Sequence, residues 1–514
     1  MNAEARNPRL RALTFTSVLN QKRGTMKSVR LPKLACVAAI LCVATAVASQ
    51  AQNLTTLGNF NGFNGGDPAN TNLIQGTDGN LYGATQGNGV PHTKGTIFRI
   101  TPAGKLTTLY RFCSQPKCSD GWVPTGVVQG NNGRLYGVAE FGGVTPYCTI
   151  GPGCGTLFKL SPQGKYTVLH SFCSETNCSD GDSPGLTLVQ ANNGNFYGTT
   201  FCGGLGLKGA NCNGGGAGTL FQITPAGELT TLYSFCSETN CADGGEPTTG
   251  LVIGPNGSLY GTTSLGGTSS VGTLFQFSAA GKFTVLHNFT TGEEGLITLM
   301  LAGDGSLYGT TSSGDNSGGR IFRLASGGDF TTIYSFCSLA GCADGSSPQE
   351  PLVQGSDGNL YGTASSGGST GNGTIFKITP EGKLTTLYNF CLNSNCPDGR
   401  EPDSLMQATN GSFYGMTQFG GSTLYGTVFK FSTGLGPFVA ESPTFGKVSQ
   451  VVRILGNNLT GTTSVTFNSM PAAFKVVSST FIEATVPSGA TTGTIEVTTL
   501  SGTLKSNVAF QIIQ

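Results

Sequence analysis

Seven times between residues 53 and 432 the chain returns to a Tyr-Gly pair, at Tyr82, Tyr136, Tyr197, Tyr260, Tyr308, Tyr361 and Tyr414. Each pair follows a turn signal: Asp78-Gly79, Asn132-Gly133, Asn193-Gly194, Asn256-Gly257, Asp304-Gly305, Asp357-Gly358 and Asn410-Gly411. No other feature constrains the fold as strongly, because units of roughly 50 residues cannot bury an apolar face alone and must stack on their neighbours. Asn-Gly and Asp-Gly accept the positive φ angles of a tight hairpin, so each unit contains one. An eighth pair, Tyr425-Gly426, lacks the turn signal and is not counted as a unit.

Downstream of each pair a Gly-x-(Ile/Leu/Val)-Phe segment recurs, with Phe98, Phe158, Phe221, Phe275, Phe322, Phe376 and Phe429. Its alternation implies a strand with one buried face. A turn such as TPAGK at 101–105 or TPEGK at 379–383 then leads into a further strand of the type LTTLYSF. Four strands per unit result, named A (351–354), B (359–363), C (373–378) and D (383–390) from the sixth unit. The seventh unit ends after its C strand at 426–431, whereas NLTTLGNF at 53–60 has the D pattern with no A, B or C before it. The expected fold is all-β: a seven-bladed β-propeller of four-stranded blades over 53–432, whose N-terminal strand closes the last blade and removes the edges of an open array.

Composition agrees with short strands and tight turns, since 80 residues are glycine and only 11% are charged. With 28 basic against 27 acidic residues there is no global field to attract nucleic acid, and nucleic-acid binding is excluded as an expectation. Lys27, Arg30 and Lys33 precede an apolar run from Leu34 to about Ala48, which reads as a signal-peptide region over 1–51 with the true start at Met1 or Met26. The run is shorter than the roughly 20 apolar residues that span a bilayer, so no membrane span is expected in the mature chain.

Of 16 cysteines, Cys36 and Cys42 fall in that leader. Ten of the rest form C-x4-C pairs: Cys113 with Cys118, Cys173 with Cys178, Cys236 with Cys241, Cys337 with Cys342, and Cys391 with Cys396. Cys148 with Cys154 and Cys202 with Cys212 complete the set. Even number, local spacing and an export signal imply seven disulfides in an oxidising compartment. Zinc is the competing use of such pairs, but the chain has only three histidines and the pairs lie in separate units.

The motif GS-DGNLYGT…GTIFKITP-GKLTTLY…DG resembles the GloVer-type tandem repeats of secreted bacterial proteins over about 380 residues. That resemblance implies architecture and export rather than chemistry, and it carries over no functional residue. After a linker at 433–441, the SPTFG opening, the GNNL turn at 456–459, SVTFN at 464–468 and VPSGATTGTIEVTT make residues 442–514 resemble an IPT/TIG immunoglobulin-like domain. Such domains serve as spacers or attachment modules, which is the role expected here.

In a four-stranded meander the A–B and C–D turns share one face, and the B–C and D–A loops share the other. The second face carries every mature cysteine pair and the loops of variable length, so it is the expected binding face. Asp120, Asp180, Asp243, Asp344 and Asp398, each followed by glycine, sit after the second cysteine of a D–A loop. They suit either calcium or a simple aspartate turn, and the absence of a dense carboxylate ladder favours the turn. Gln75, Gln129, Gln190, Gln354 and Gln407, with Ile253 and Leu301 in the remaining units, end the A strands. They either line a channel or bond to neighbouring backbone.

Catalysis finds little support. His170 and His287 replace the strand-D tyrosine, His92 stands alone on the candidate face, and Asp182, Glu246, Glu293 and Glu294 form no pair that spacing can recognise. Trp122 is a candidate either for stacking on a sugar or for packing inside a blade. The expected function is a secreted, non-enzymatic binding or scaffold protein of the cell envelope or exterior that presents stapled loops to a glycan or protein, without a cofactor. The alternative is an extracellular propeller hydrolase or lyase with carboxylates or a metal at the channel mouth. Oligomeric state is not readable from these residues.

Overall fold

A computed structural model describes residues 53–513 except 88–93, 146–152, 186, 208, 210–211, 213–214, 294–296 and 315–317. The leader, His92, Cys148 and Glu294 lie outside the described residues. Strand dominates: the repeat region forms seven antiparallel sheets, one per unit, each ordered A-B-C-D. In sheet 6 these strands are Val353–Gln354, Leu360–Ala364, Thr374–Ile378 and Leu384–Asn389, within two residues of the sequence reading. Sheet 7 combines Arg400–Gln407, Phe413–Phe419 and Thr427–Ser432 with the N-terminal strand Asn53–Asn59, which pairs antiparallel with Thr427–Ser432.

The Tyr-Gly signature has a packing cause. The glycine of each pair lies directly across the ladder from the strand-C phenylalanine, as Gly83 does from Phe98 and Gly415 from Phe429. A Cβ at Gly83 would stand 2.7 Å from the Phe98 ring, and one at Gly415 2.4 Å from that of Phe429. Only glycine lets the ring lie flat over the B strand. The tyrosine points the other way and is fully buried in five of the seven units, at Tyr82, Tyr136, Tyr308, Tyr361 and Tyr414. Each such aromatic side chain contributes about 2–3 kcal/mol on burial.

Three contacts recur at the seams between successive sheets. Apolar clusters bridge them: Tyr82, Ile97 and Phe112 of sheet 1 pack on Val127, Leu135 and Phe158 of sheet 2. The same kind of cluster joins Phe60, Tyr414 and Val428 of sheet 7 to Leu73, Leu81 and Phe98 of sheet 1. The strand-A glutamines form the second contact. Thr77, Asn131, Gly303 and Ser356 donate their amides at 2.9 Å to Gln129, Gln190, Gln354 and Gln407 of the following sheet. Thr409 of sheet 7 likewise donates at 2.9 Å to Gln75 of sheet 1.

The third contact sits where strand A begins. Val123, Ser183, Ser347 and Glu401 each precede a proline and donate to a carbonyl of the preceding sheet, at Lys94, Cys154, Gly318 and Asn372. Asp67 of sheet 1 does the same to Tyr425 of sheet 7. These residues hold φ values of 51–56°, a left-handed conformation that side chains resist and that a following proline disfavours further. Strain of this kind is often read as a sign of function. Its recurrence from unit to unit marks it as part of the seam.

The C-terminal region is a sandwich. One sheet contains Ala440–Ser442, Val451–Leu455, Phe481–Thr485 and Phe474–Ser478; the other contains Met470–Pro471, Ser464–Phe467, Ile495–Thr499 and Gly502–Lys505. Val439, Val452, Ile454, Phe467, Ile482, Val497 and Phe510 fill it. Ala440 and Glu441, placed in the linker by sequence, already pair with Leu455 and Ile454. The domain does not stand off as a spacer, because it rests on the A–B turns. Arg453 donates to the Gly130 carbonyl at 3.0 Å, Thr480 to that of Thr77 at 2.8 Å, and Asn457 to the Thr409 hydroxyl at 2.8 Å.

Candidate functional site

The stapled loops are built by one device. In the D–A loop after sheet 3, Asp243 is buried and accepts four bonds: from the Tyr233 hydroxyl at 2.7 Å, the Ser237 amide at 2.9 Å, the Ser237 hydroxyl at 3.0 Å and the Glu238 amide at 3.2 Å. Asp120 and Asp344 repeat the arrangement with Tyr110 and Tyr334, and Asp398 receives Tyr388 and the Cys391 amide. Disulfides Cys113–Cys118, Cys173–Cys178, Cys236–Cys241, Cys337–Cys342 and Cys391–Cys396 clamp the same loops, and Cys202–Cys212 clamps a B–C loop. Amides and hydroxyls bond both oxygens of Asp243, Asp120 and Asp344 and one oxygen of Asp398, whose buried Oδ1 has no partner among the described residues, so these aspartates close turns. No cluster among the described residues could hold a metal ion.

The histidines belong to the same device. His170 takes the tyrosine's place with its Nε2 2.9 Å from Asp180. Burial pushes the Asp180 carboxyl up, but His170, Ser174 and Glu175 outweigh it and leave the group below the usual range. The loop after sheet 4 has no cysteines; there buried Glu293 stands in for aspartate, accepting the Thr290 amide at 2.9 Å, with His287 at 3.6 Å and Arg320 at 3.5 Å. Asp182 is bonded by its neighbour Ser183, and Glu246 holds the buried pre-proline position of sheet 4. Glu293 thus joins His287 of sheet 4 to Arg320 of sheet 5, the Glu246 amide bonds to Ala217 beside sheet 3, and Asp182 is bonded within its own strand. Trp122 packs, with Phe141 5.0 Å from its ring and the Lys94 ammonium 4.7 Å above it. The strand-A glutamines are committed to the seams.

One site departs from the repeat. A cavity of about 190 Å³ is lined by the starts of the A strands: Asn70, Thr71 and Asn72 of sheet 1, Thr125, Thr187, Thr249 and Thr298 of the next four, and Gln349, Glu350 and Pro351 of sheet 6. Glu350 is half-buried as a residue, yet its carboxyl is enclosed and lies in hydrogen-bonding contact with that of Asp403 in sheet 7. Asp403 also accepts the Asn70 and Thr71 amides at 3.2 and 3.3 Å. Burial pushes Asp403 up to about 7, and burial together with the Asp403 charge pushes Glu350 well above the carboxylate range. Sequence reasoning missed this pair, although a signal existed. Glu350 and Asp403 stand four residues before Gln354 and Gln407, where Thr71 and Thr125 stand before Gln75 and Gln129.

Among the described residues no helix is long and apolar enough to cross a membrane. No curated protein matches the chain. Among solved structures it is similar to the extracellular domain of a putative hybrid two-component system from B. thetaiotaomicron (10% identity, 91% of this chain and 60% of that one, TM-score 0.48). It is also similar to a fungal alcohol oxidase in complex with copper (12%, 90% and 99%, TM-score 0.46) and to a putative gluconolactonase (13%, 76% and 94%, TM-score 0.38). Residues 439–512 match the IPT/TIG domain model. The Gloeobacter/Verrucomicrobia repeat model matches at 43–210, 117–298 and 295–469, and the chain belongs to that family.

Proposed function

We propose that the seven sheets form a seven-bladed β-propeller over 53–432, exported from the cell, that binds an extracellular protein through its stapled face without catalysing a reaction. The closure is supported by the pairing of Asn53–Asn59 with sheet 7 and by seam contacts that run from sheet 7 back to sheet 1. Export is supported by the leader composition and by the six disulfides between described residues.

The observation that carries the binding reading is the placement of exposed apolar side chains. Phe63, Leu339 and Leu392 on D–A loops, with Val144, Leu205, Leu207 and Leu424 on B–C loops, are 56–75% exposed. Among the described residues of the repeat sheets, every large exposed apolar side chain lies on this face, and none lies on the A–B or C–D turns. Apolar exposure gathered on one side of a molecule marks an interaction surface. The side chains are mostly aliphatic and Trp122 is packed away, which suits a protein surface better than a sugar ring.

The test is a panel of purified envelope and secreted proteins, with a glycan array as the second arm. Leu205→Ser, Leu339→Ser and Leu392→Ser together are expected to abolish capture of the bound protein while leaving the thermal midpoint unchanged. Retention of no protein by the panel, or capture that survives the triple variant, refutes the reading. A hydrolytic reading draws on Glu350 and Asp403. Their carboxyls touch, whereas the acids of glycoside hydrolases stand about 5 Å or more apart.

A further inference from the structure

We infer that the groove between sheets 1 and 2, on the face of the A–B and C–D turns, binds an acidic sugar through Arg99 and Arg134, the sugar carrying a carboxylate or a sulfate ester. The groove depends on the packing of sheets 1 and 2 against each other and is independent of the reading of the stapled face. Its volume is about 820 Å³, within the range of small-ligand sites. Tyr82, Arg99 and Thr107 line it from sheet 1, and Arg134, Ser161 and Gln163 from sheet 2.

Arg99 lacks the partners that its counterpart has. It faces Tyr82 across the ladder, and its Nε is buried without a hydrogen-bond partner. Arg323 holds the same position in sheet 5, where its own turn satisfies it: Nε donates to the Ser306 hydroxyl at 3.1 Å and Nη2 to Asp304 at 3.1 Å. In sheet 1 Asn80 replaces that serine. The Asp78 carboxylate is already occupied by the Asn80 amide at 3.1 Å, the Asn80 side chain at 2.6 Å and the Tyr82 hydroxyl at 2.8 Å. Among the described residues neither Arg99 nor Arg134 forms an ion pair with a carboxylate. A buried donor left without an acceptor is rare in a folded chain and calls for an acceptor from outside.

The fold does not require these charges. Gln222 and Gln276 stand at the Arg99 position in repeats 3 and 4. Each bonds its own unit's tyrosine: Tyr197 donates to Gln222 at 2.8 Å, and Gln276 donates to Tyr260 at 3.0 Å. Arg134 is likewise particular to its unit, because Asn80, Asn195, Ser258, Ser306, Asn359 and Ser412 follow the other six turn glycines. Only at the seam of sheets 1 and 2 does a base on strand C meet a base from the next A–B turn.

The charge in the groove selects the ligand. Two guanidinium groups against the single carboxylate of Asp78 leave one positive charge, which matches a monoanion better than a dianionic phosphate. Arginine forks pair their N–H donors with the oxygens of such anions. Thr107, Ser161 and Gln163 add hydroxyl and amide groups of the kind that bond sugar hydroxyls, and none of the exposed aliphatic side chains of the opposite face lines this groove.

The experiment is calorimetric titration of the full exported chain with galactobiose in three forms: neutral, with one sugar oxidised to the uronate, and with one sugar sulfated. Sodium sulfate is a further arm. Binding of either acidic form, weakened by added salt, is expected, and the form that binds identifies the anion. Arg99→Gln and Arg134→Asn should each lower that affinity about tenfold or more, while Arg323→Gln, at the satisfied position in sheet 5, leaves it unchanged. Both groove substitutions introduce a residue that other repeats carry; Arg134 is exposed, so its variant serves if Arg99→Gln does not fold. No binding of either acidic form, binding indifferent to both substitutions, equal binding of neutral galactobiose, or sodium sulfate binding as tightly as the sugars each overturns the inference.

Discussion

Asp243→Ala tests whether a single buried carboxylate organises a stapled loop. The side chain accepts two amides and two hydroxyls at 2.7–3.2 Å and is fully buried. Each such bond contributes about 1 kcal/mol net, more when the acceptor is charged. Ser237 and Glu238 are exposed, so their freed amides can find water, and the sum is held to about 3 kcal/mol rather than doubled. Asp243→Asn keeps one oxygen for the amides and should cost about half as much. The assay is urea unfolding of the oxidised protein followed by fluorescence, with amide hydrogen exchange read at Ser237 and Glu238. Exchange at those two amides should accelerate in the alanine variant, and the Cys236–Cys241 disulfide should not compensate. A change below about 0.5 kcal/mol, the level of an ordinary surface substitution, would show that the disulfide alone holds the loop and that the aspartate is incidental.

Three further outcomes follow from the seams, the staples and the Ig-like domain. Gln75→Ala removes the 2.9 Å bond from Thr409 and the 3.1 Å bond back to its hydroxyl, and should lower stability by about 1–2 kcal/mol in the same urea assay. An unchanged midpoint would argue against a closed succession of sheets. Replacing Cys113 and Cys118 by serine opens a ring closed over a sequence separation of 5 and should cost about 2 kcal/mol without unfolding the protein, as judged by the far-ultraviolet spectrum. Glu441 is buried, burial pushes it up to about 8, and apart from its own amide neither oxygen has a partner among the described residues. A raised carboxyl binds its proton more tightly when folded, so stability falls as pH rises from the unfolded value near 4 to about 8 and then levels. Glu441→Met should raise the thermal midpoint most above pH 8 and least near pH 4; a gain independent of pH would refute the assignment.

Much of the strand plan was legible because hairpin chemistry is local. Asp357-Gly358 and the alternation through Phe376 placed the strands of sheet 6 within two residues. The N-terminal strand was also legible, since a D pattern at 53–60 and its absence after 431 can be counted. The turn role favoured for the Asp-Gly pairs agrees with Asp243 and its four donors. Less legible were roles fixed by a neighbouring sheet. Gln129 reads in sequence as a channel residue or a backbone partner, and only the position of Thr77 decides which. The Ig-like domain reads as a spacer until Arg453 and Thr480 are seen on the A–B turns.

Sequence alone determined the number of units, the strand order within each unit and the loops that carry the cysteines, because those depend on residues near one another in the chain. Tertiary structure decided what those units enclose. Glu350 and Asp403 lie 53 positions apart and look like ordinary polar residues in their own repeats. Their carboxyl contact depends on the side-by-side packing of sheets 6 and 7. Local periodicity specifies each strand and its faces; burial, and hence the perturbed protonation of that pair, is a property of the assembled sheets.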